Sequence, residues 1–229
     1  MTQHIPVVEK ILSANDQIAR DVRKQFKEAG VYCINIMASP GAGKTTFILK
    51  TLESLQGRLR MGVIEGDVAS SIDTEKASAA GLPAVQINTG GECHLDAVMV
   101  FGVLPSLPLN ELDLVIIENV GNLICPINFQ VGSHMNVLIA SIPEGDDKPY
   151  KYPGAYRGVQ ALIISKTDLL PYVPFNMDYF RRGVEVLNPG LTTFPVSAKT
   201  GEGMNSWADW LVDQVNINKS IPIKTSNDQ

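Results

Sequence analysis

Eight consecutive residues, Ser39-Pro40-Gly41-Ala42-Gly43-Lys44-Thr45-Thr46, set two glycines, a lysine and hydroxyls in an order suited to a polyphosphate. Gly41 and Gly43 let the backbone wrap an anion without Cβ clashes, so that the following N–H groups, those of Ala42 and Thr46 among them, point at it. Lys44 is expected to reach the β/γ-phosphates and the Thr45 hydroxyl to bind Mg2+. Ala38 stands where the GxxxxGK(S/T) pattern has its first glycine. A strand before and a helix after separate a phosphate loop from a glycine-rich turn that merely precedes Lys-Thr.

Carboxylates follow where such chemistry needs them. Asp67 closes a predicted strand and Asp73 lies six residues on; either is placed to face Mg2+ or the attacking water, Asp67 being assigned to the metal. Glu118 ends the most hydrophobic strand, where a carboxylate is costly unless it has a function. It is assigned to the metal's water, with Gly121 near the γ-phosphate. Lys44, Asp67, Asp73 and Glu118 are the catalytic candidates.

Two later segments bear on the base. Ser165-Lys166-Thr167-Asp168 is similar to the Asn-Lys-x-Asp base-reading motif of GTPases, with Ser in place of Asn, and Ser197-Ala198-Lys199 is similar to their second base loop. A carboxylate at Asp168 can accept from guanine N1–H and N2–H2 together, and adenine offers no such pair of donors. An ATP-dependent kinase is disfavoured on that ground.

Of three cysteines, Cys33 lies within a predicted strand and reads as core. Cys93-His94 follows the third strand and Cys125-Pro126 the fourth, so both loops are expected beside the phosphate machinery. Two thiolates and an imidazole suit Ni2+ or Zn2+, but three ligands do not close a four-coordinate site. A symmetric dimer could complete or double it. His134, nine residues after Cys125, is a further ligand candidate.

The elements that must position these groups are legible as alternating strands and helices. Predicted strands are 31–38, 61–65, 84–87, 112–118, 136–142, 159–165 and 192–196, with helices near 44–56, 71–80, 94–104, 175–187 and 203–217. Runs such as Leu114-Val115-Ile116-Ile117 fit strands buried on both faces of a parallel sheet. The fold expected is α/β, a doubly wound, mostly parallel sheet of about seven strands. An N-terminal helix in 1–30, with an apolar face of Ile5, Val8, Ile11, Leu12, Ile18, Val22 and Phe26 and a stop at Gly30, packs on it. A GTPase domain spans 31–217, and 218–229 is a polar, frayed tail.

The 229 residues are 45% hydrophobic, with 24 acidic and 19 basic side chains and a formal charge of −5. That balance argues against a nucleic-acid partner. No stretch approaches the roughly 20 apolar residues of a membrane span, and the first thirty do not resemble a signal peptide. A cytoplasmic protein without disulfides is expected.

Taken together, the phosphate loop, Glu-Gly-Asp at 65–67, Cys-His-Leu-Asp at 93–96, Glu-Asn-Val-Gly-Asn at 118–122, Glu-Gly-Asp-Asp-Lys-Pro at 144–149 and Lys-Thr-Asp-Leu-Leu-Pro-Tyr-Val at 166–173 resemble the HypB family, SIMIBI-class P-loop GTPases that assist nickel insertion into NiFe-hydrogenase. The resemblance runs from the first helix to Trp210. It implies a GTP-dependent homodimer with a metal site at the interface, using GTP/GDP and Mg2+. It implies delivery through a nickel accessory protein to the hydrogenase large subunit. It carries the metal role onto Cys93, His94 and Cys125. The Cys-rich or His-rich N-terminal segment of some members is not present in this sequence. Glu92 is a possible oxygen ligand by adjacency, and Lys148 a possible contact to the other subunit's nucleotide. A urease-accessory GTPase of the same fold carries contiguous Cys-Pro-His, whereas Ile127 follows Cys125-Pro126 here. A nucleotide-gated metal-binding module with negligible turnover is the other alternative. No arginine finger is evident, so slow turnover is expected.

Overall fold

The apolar runs become seven strands because only a sheet with both faces covered can bury them. In the computed structural model, which describes residues 7–67, 79 and 81–220, these are β1 (Tyr32–Ala38), β2 (Met61–Asp67), β3 (Ala84–Asn88), β4 (Leu114–Glu118), β5 (Met135–Ser141), β6 (Ala161–Ser165) and β7 (Thr192–Pro195). They pair in the order β3-β2-β4-β1-β5-β6-β7, and every pairing is parallel. Strand order reverses at β1, which lies between β4 and β5. A crevice therefore opens at its carboxyl end, where ligands bind in doubly wound sheets.

The helices are α1 (Val7–Glu28), α2 (Lys44–Leu55), α3 (Ala97–Val103), the short α4 (Lys148–Lys151) and α5 (Pro153–Arg157), α6 (Met177–Leu187) and α7 (Met204–Ser220). On β1, Ile34, Ile36 and Ala38 face α2 and α7, in one core with Phe47 and Trp207. Trp207 satisfies its buried indole N–H on Thr51 Oγ1 at 3.1 Å. Cys33 belongs to the opposite core, formed with α1 and α3. Apart from Ala79, the helix expected at 71–80 lies outside the described residues, as do the residues beyond Ser220.

Two boundaries differ from the sequence reading. In α1 the buried stripe is Asn15, Ala19, Val22 and Phe26, while Ile11 is 54% exposed. Small residues win this face because the chain approaches closely: a Cβ on Gly132 would lie 2.4 Å from Val22 Cγ1. Gly30 does end the helix, with φ +72 and a Val31 N–H to Phe26 carbonyl bond of 2.9 Å. The second difference is at α7, which continues through Ser220 instead of fraying at 218. Lys219 Nζ reaches Asp113 Oδ1 at 2.6 Å, and Arg60 holds the same carboxylate through Oδ2 at 2.9 Å. These partners, Arg60 foremost, hold the Asp113 carboxyl well below its usual range. Among the described residues no helix is long and apolar enough to cross a membrane.

Candidate nucleotide and metal site

The phosphate loop leaves β1 at Ala38 and enters α2 at Lys44. Its tight course depends on φ values of +73 at Gly41 and +93 at Gly43, a region costly for residues with a Cβ. Glu118, buried at the end of β4, accepts a 2.9 Å hydrogen bond from Thr45 Oγ1 at the start of α2. The turn after Glu118 lies over the loop: a Cβ on Gly121 would be 3.0 Å from Pro40 Cα and 3.3 Å from Lys44 Nζ. Hydroxyl and carboxylate oxygens so placed form the hard donor set that Mg2+ prefers. Asp67 is the last residue of β2, but its side chain and all of Asp73 lie outside the described residues.

The base loop grips the phosphate loop directly. Ser165 Oγ donates to the Ala42 carbonyl at 3.0 Å, and Lys166 Nζ donates to the Gly41 carbonyl at 2.6 Å. Serine thus reaches the loop despite its short side chain. Lys166 adopts a left-handed φ of +61, held by these contacts. Asp168 Oδ1 accepts from Ser197 Oγ at 2.7 Å, and Ser197 Oγ in turn accepts from the Thr200 N–H at 3.2 Å. Between the loops lies a cavity of about 320 Å3, lined by Gly43, Thr46, Lys166, Asp168, Ala198 and Lys199 among others. Lys166, Asp168, Ala198 and Lys199 of the predicted base-reading set therefore line one space beside the phosphate loop, with Ser197 buried behind Asp168.

The candidate metal ligands also converge. One ligand atom from each of Cys93, His94 and Cys125 lies within 4.8 Å of the other two. Cys93 Sγ is 3.7 Å from His94 Nδ1. The neighbouring Cys125 thiol, more than desolvation, pushes Cys93 above the ordinary thiol range. A cation replacing those protons would reverse that preference. Phe129 packs on the His94 ring with centroids 4.0 Å apart. Asn122 Nδ2 donates to the Cys93 carbonyl at 3.3 Å, and the Leu95 N–H donates to Asn119 Oδ1 at 3.0 Å.

Glu92 and His134 are not brought into this group. His134 stacks on Tyr32 with centroids 5.1 Å apart, and its Nδ1 accepts the Cys33 N–H at 3.0 Å. Burial lowers its pKa to about 4. It is a half-buried histidine packed on Tyr32, next to a core Cys33. In the acidic segment, Glu144 turns inward to accept from the Ser141 N–H and Oγ at 2.7 and 2.9 Å, and Lys148 Nζ lies 5.5 Å from the Tyr152 ring centre.

Sequence reasoning passed over Asn15 and Phe129, and assigned no role to Asn119 and Asn122 although both stand in the 118–122 motif. Asn15 Oδ1 accepts the Ala97 N–H and its Nδ2 donates to the Gln130 carbonyl, both at 2.9 Å. One side chain on α1 thereby spans the segments that follow the two metal-loop cysteines. The available signal was a polar residue in the middle of an apolar helical stripe.

Residues 32–195 match the CobW/HypB/UreG nucleotide-binding domain. The chain is 42% identical over 207 residues to the hydrogenase maturation factor HypB of Rhizobium leguminosarum bv. viciae, covering 90% of this chain and 69% of that one. Its fold matches HypB of Archaeoglobus fulgidus with a TM-score of 0.83 at 35% identity, covering 89% of this chain and all of that one. It matches HypB of Helicobacter pylori, solved in complex with nickel, with a TM-score of 0.85 at 33% identity, covering 93% and 100%.

Proposed function

Because this chain belongs to the CobW/HypB/UreG nucleotide-binding family, in its HypB branch of hydrogenase maturation factors, we propose that it hydrolyses GTP and carries Ni2+ to a hydrogenase precursor. The observation that supports this most is the placement of a Cys93–His94–Cys125 cluster one segment away from the Thr45–Glu118 pair. The same stretch of chain, from Glu118 to Cys125, takes part in both.

For GTP, Gly41 to Thr46 bind the phosphates through backbone N–H groups, and Lys44 neutralises charge on the β/γ oxygens. Asp168 reads the guanine edge while Ser197 fixes its carboxylate. Thr45 and Asp67 would hold Mg2+, which when bound supplies charge neutralisation at the transferring phosphoryl group, and Glu118 would hold the metal's water. Glu118 and Asp73 are assigned to orienting water, and Gly121 leaves room for the γ-phosphate.

Ni2+ is cargo. Thiolates and imidazole hold it, and the exposed position of Cys93 keeps it accessible for release. Three ligands leave the coordination sphere open to the same set from a second copy across a two-fold axis. Exposed Ile124 and Val98 beside the two loops suit burial in that homodimer. An accessory protein would relay the metal to the hydrogenase large subunit.

The test is single-turnover GTP hydrolysis and Ni2+ titration, with light scattering for oligomeric state. K44A should lose GTP hydrolysis by at least a hundredfold and retain Ni2+ binding in the nucleotide-free protein. C93S should lose the tight Ni2+ equivalent and retain GTP binding. A wild-type protein that binds neither ligand contradicts the reading.

A further inference from the structure

The Cys93–His94 pair is followed at once by Leu95, which is held from two directions. Its N–H donates to Asn119 Oδ1 at 3.0 Å. Its fully buried side chain packs on Gly66, where a Cβ would come within 2.6 Å of Leu95 Cγ. Gly66 precedes Asp67 in β2, and Asn119 follows Glu118 at the end of β4. Leu95 is thus wedged between the ends of the two strands that lead into the catalytic segments.

Asn119 is completely buried and bonded on every side. Oδ1 also accepts the Val120 N–H at 2.9 Å, Nδ2 donates to Asn35 Oδ1 at 3.1 Å, and the backbone N–H donates to the Ile36 carbonyl at 3.0 Å. A buried amide cannot leave such partners unreplaced without a desolvation penalty, so it moves only together with them. Upstream of Cys93, Gly90 and Gly91 turn the chain with φ of +63 and +103, and the turn is closed by the Gly90 N–H on Asn88 Oδ1 and by Thr89 Oγ1 on the Glu92 carbonyl, both at 2.9 Å. The Cys93–His94 pair is therefore held between this closed turn and Leu95.

We propose that Asn119 is the positioning residue through which the nucleotide state sets the geometry of the Cys93–His94 loop. The proposal rests on the GTP-dependent nickel reading above. The Thr45 hydroxyl that now bonds Glu118 is the group a nucleotide complex would recruit. A shift of Glu118 is passed through the adjacent Asn119 to the Leu95 N–H, and so to the two ligands immediately before it. Cys125 lies farther along the same segment, so its spacing to Cys93 changes with that shift.

The experiment is calorimetric titration of Ni2+ into protein loaded with GDP or with a non-hydrolysable GTP analogue, at protein concentrations where light scattering gives one oligomeric state. Wild type is expected to bind Ni2+ with affinities differing on the order of tenfold between the two states, and Ni2+ should change relative nucleotide affinity by the same factor. N119A should bind both ligands with that ratio collapsed to within about twofold in both directions. N35A, which breaks the other side of the amide without touching Leu95, should keep the wild-type ratio. N119D retains the acceptor for the Leu95 N–H, and Asn35, by turning its amide, can donate to the new carboxylate in place of accepting; it should also keep the ratio, which serves if N119A proves unfolded by circular dichroism. The proposal is overturned if N119A keeps the wild-type ratio, if N35A or N119D loses it, or if wild type binds both ligands with a ratio of one. Wild type that fails to bind Ni2+ or GTP overturns the underlying functional reading instead.

Discussion

At the scale of single residues, the chemistry of this molecule lies in side chains whose neighbours leave them little freedom. Asp168 is one: Ser197 holds one of its oxygens at 2.7 Å, so the carboxylate presents a fixed edge to the cavity. In Asp168→Asn an N–H replaces an acceptor and faces the guanine N2 amino group donor to donor. GTP affinity should fall at least tenfold, while XTP, with an acceptor oxygen at that position, should gain affinity; competition with a fluorescent nucleotide measures both. The outer contacts of the candidate metal ligands were less legible than the candidates themselves. Cys93, His94 and Cys125 are rare residue types whose donor atoms advertise themselves, and Asp168 stands in a recognisable spacing. Asn119 and Asn122 work through amides directed at backbone groups far away in sequence, and no local pattern reveals such a partner. His134 misled for the opposite reason: a histidine near a cysteine loop invites a ligand role, but its ring is occupied by Tyr32 and the Cys33 N–H.

At the scale of elements, the five inner strands were readable because doubly buried strands must be nearly continuous apolar runs, whereas the partly exposed edge strands β3 and β7 were legible mainly by their place in the alternation with helices. Their ends moved by one or two residues, since pairing with a neighbour, not hydrophobicity, decides where a ladder stops. The apolar face of α1 was only half readable. Hydrophobic spacing admitted Ile11, but the packed stripe runs through Asn15 and Ala19 because the Val131–Ser133 segment and α3 come close there. Phe26, with no exposed surface, anchors that stripe. Phe26→Ala should destabilise the protein by about 3–5 kcal/mol, the usual cost of emptying a phenylalanine site. Ile11→Ala, on the exposed side of the same helix, should cost less than about 0.5 kcal/mol. Urea denaturation followed by tryptophan fluorescence compares the two.

For the whole molecule, two partly buried titratable groups shape how stability depends on pH. His134 has a folded pKa of about 4, with Arg23 and Lys27 of α1 adding to the effect of burial. An unfolded histidine titrates near 6.5. Between those values the unfolded chain binds the additional proton, so stability is complete above about pH 6.5 and declines as pH falls toward 4. The loss across that window should approach about 3 kcal/mol. His134→Gln keeps an acceptor for the Cys33 N–H and removes the titration, and should flatten this slope in denaturation curves at a series of pH values. Asp113, whose pKa is depressed, contributes in a more acidic window: its stabilisation is present above about pH 4 and is lost below it.

Asp113 has a mechanical side as well. It ties Arg60, just before β2, and Lys219, at the end of α7, to the start of β4. The phosphate loop, Cys93 and Cys125 sit at the opposite rim, beyond the carboxyl ends of the strands. A five-residue strand is about 17 Å long, so a pivot of about 5° at the stapled end displaces the other end by roughly 1.5 Å. Metal–ligand distances tolerate only about 0.2 Å. In the proposed metal site a rotation of that size would exceed the tolerance several-fold, so the staple at Asp113, together with the pairing of β4 on both sides, counts among the features that would keep Cys93 and Cys125 at one spacing.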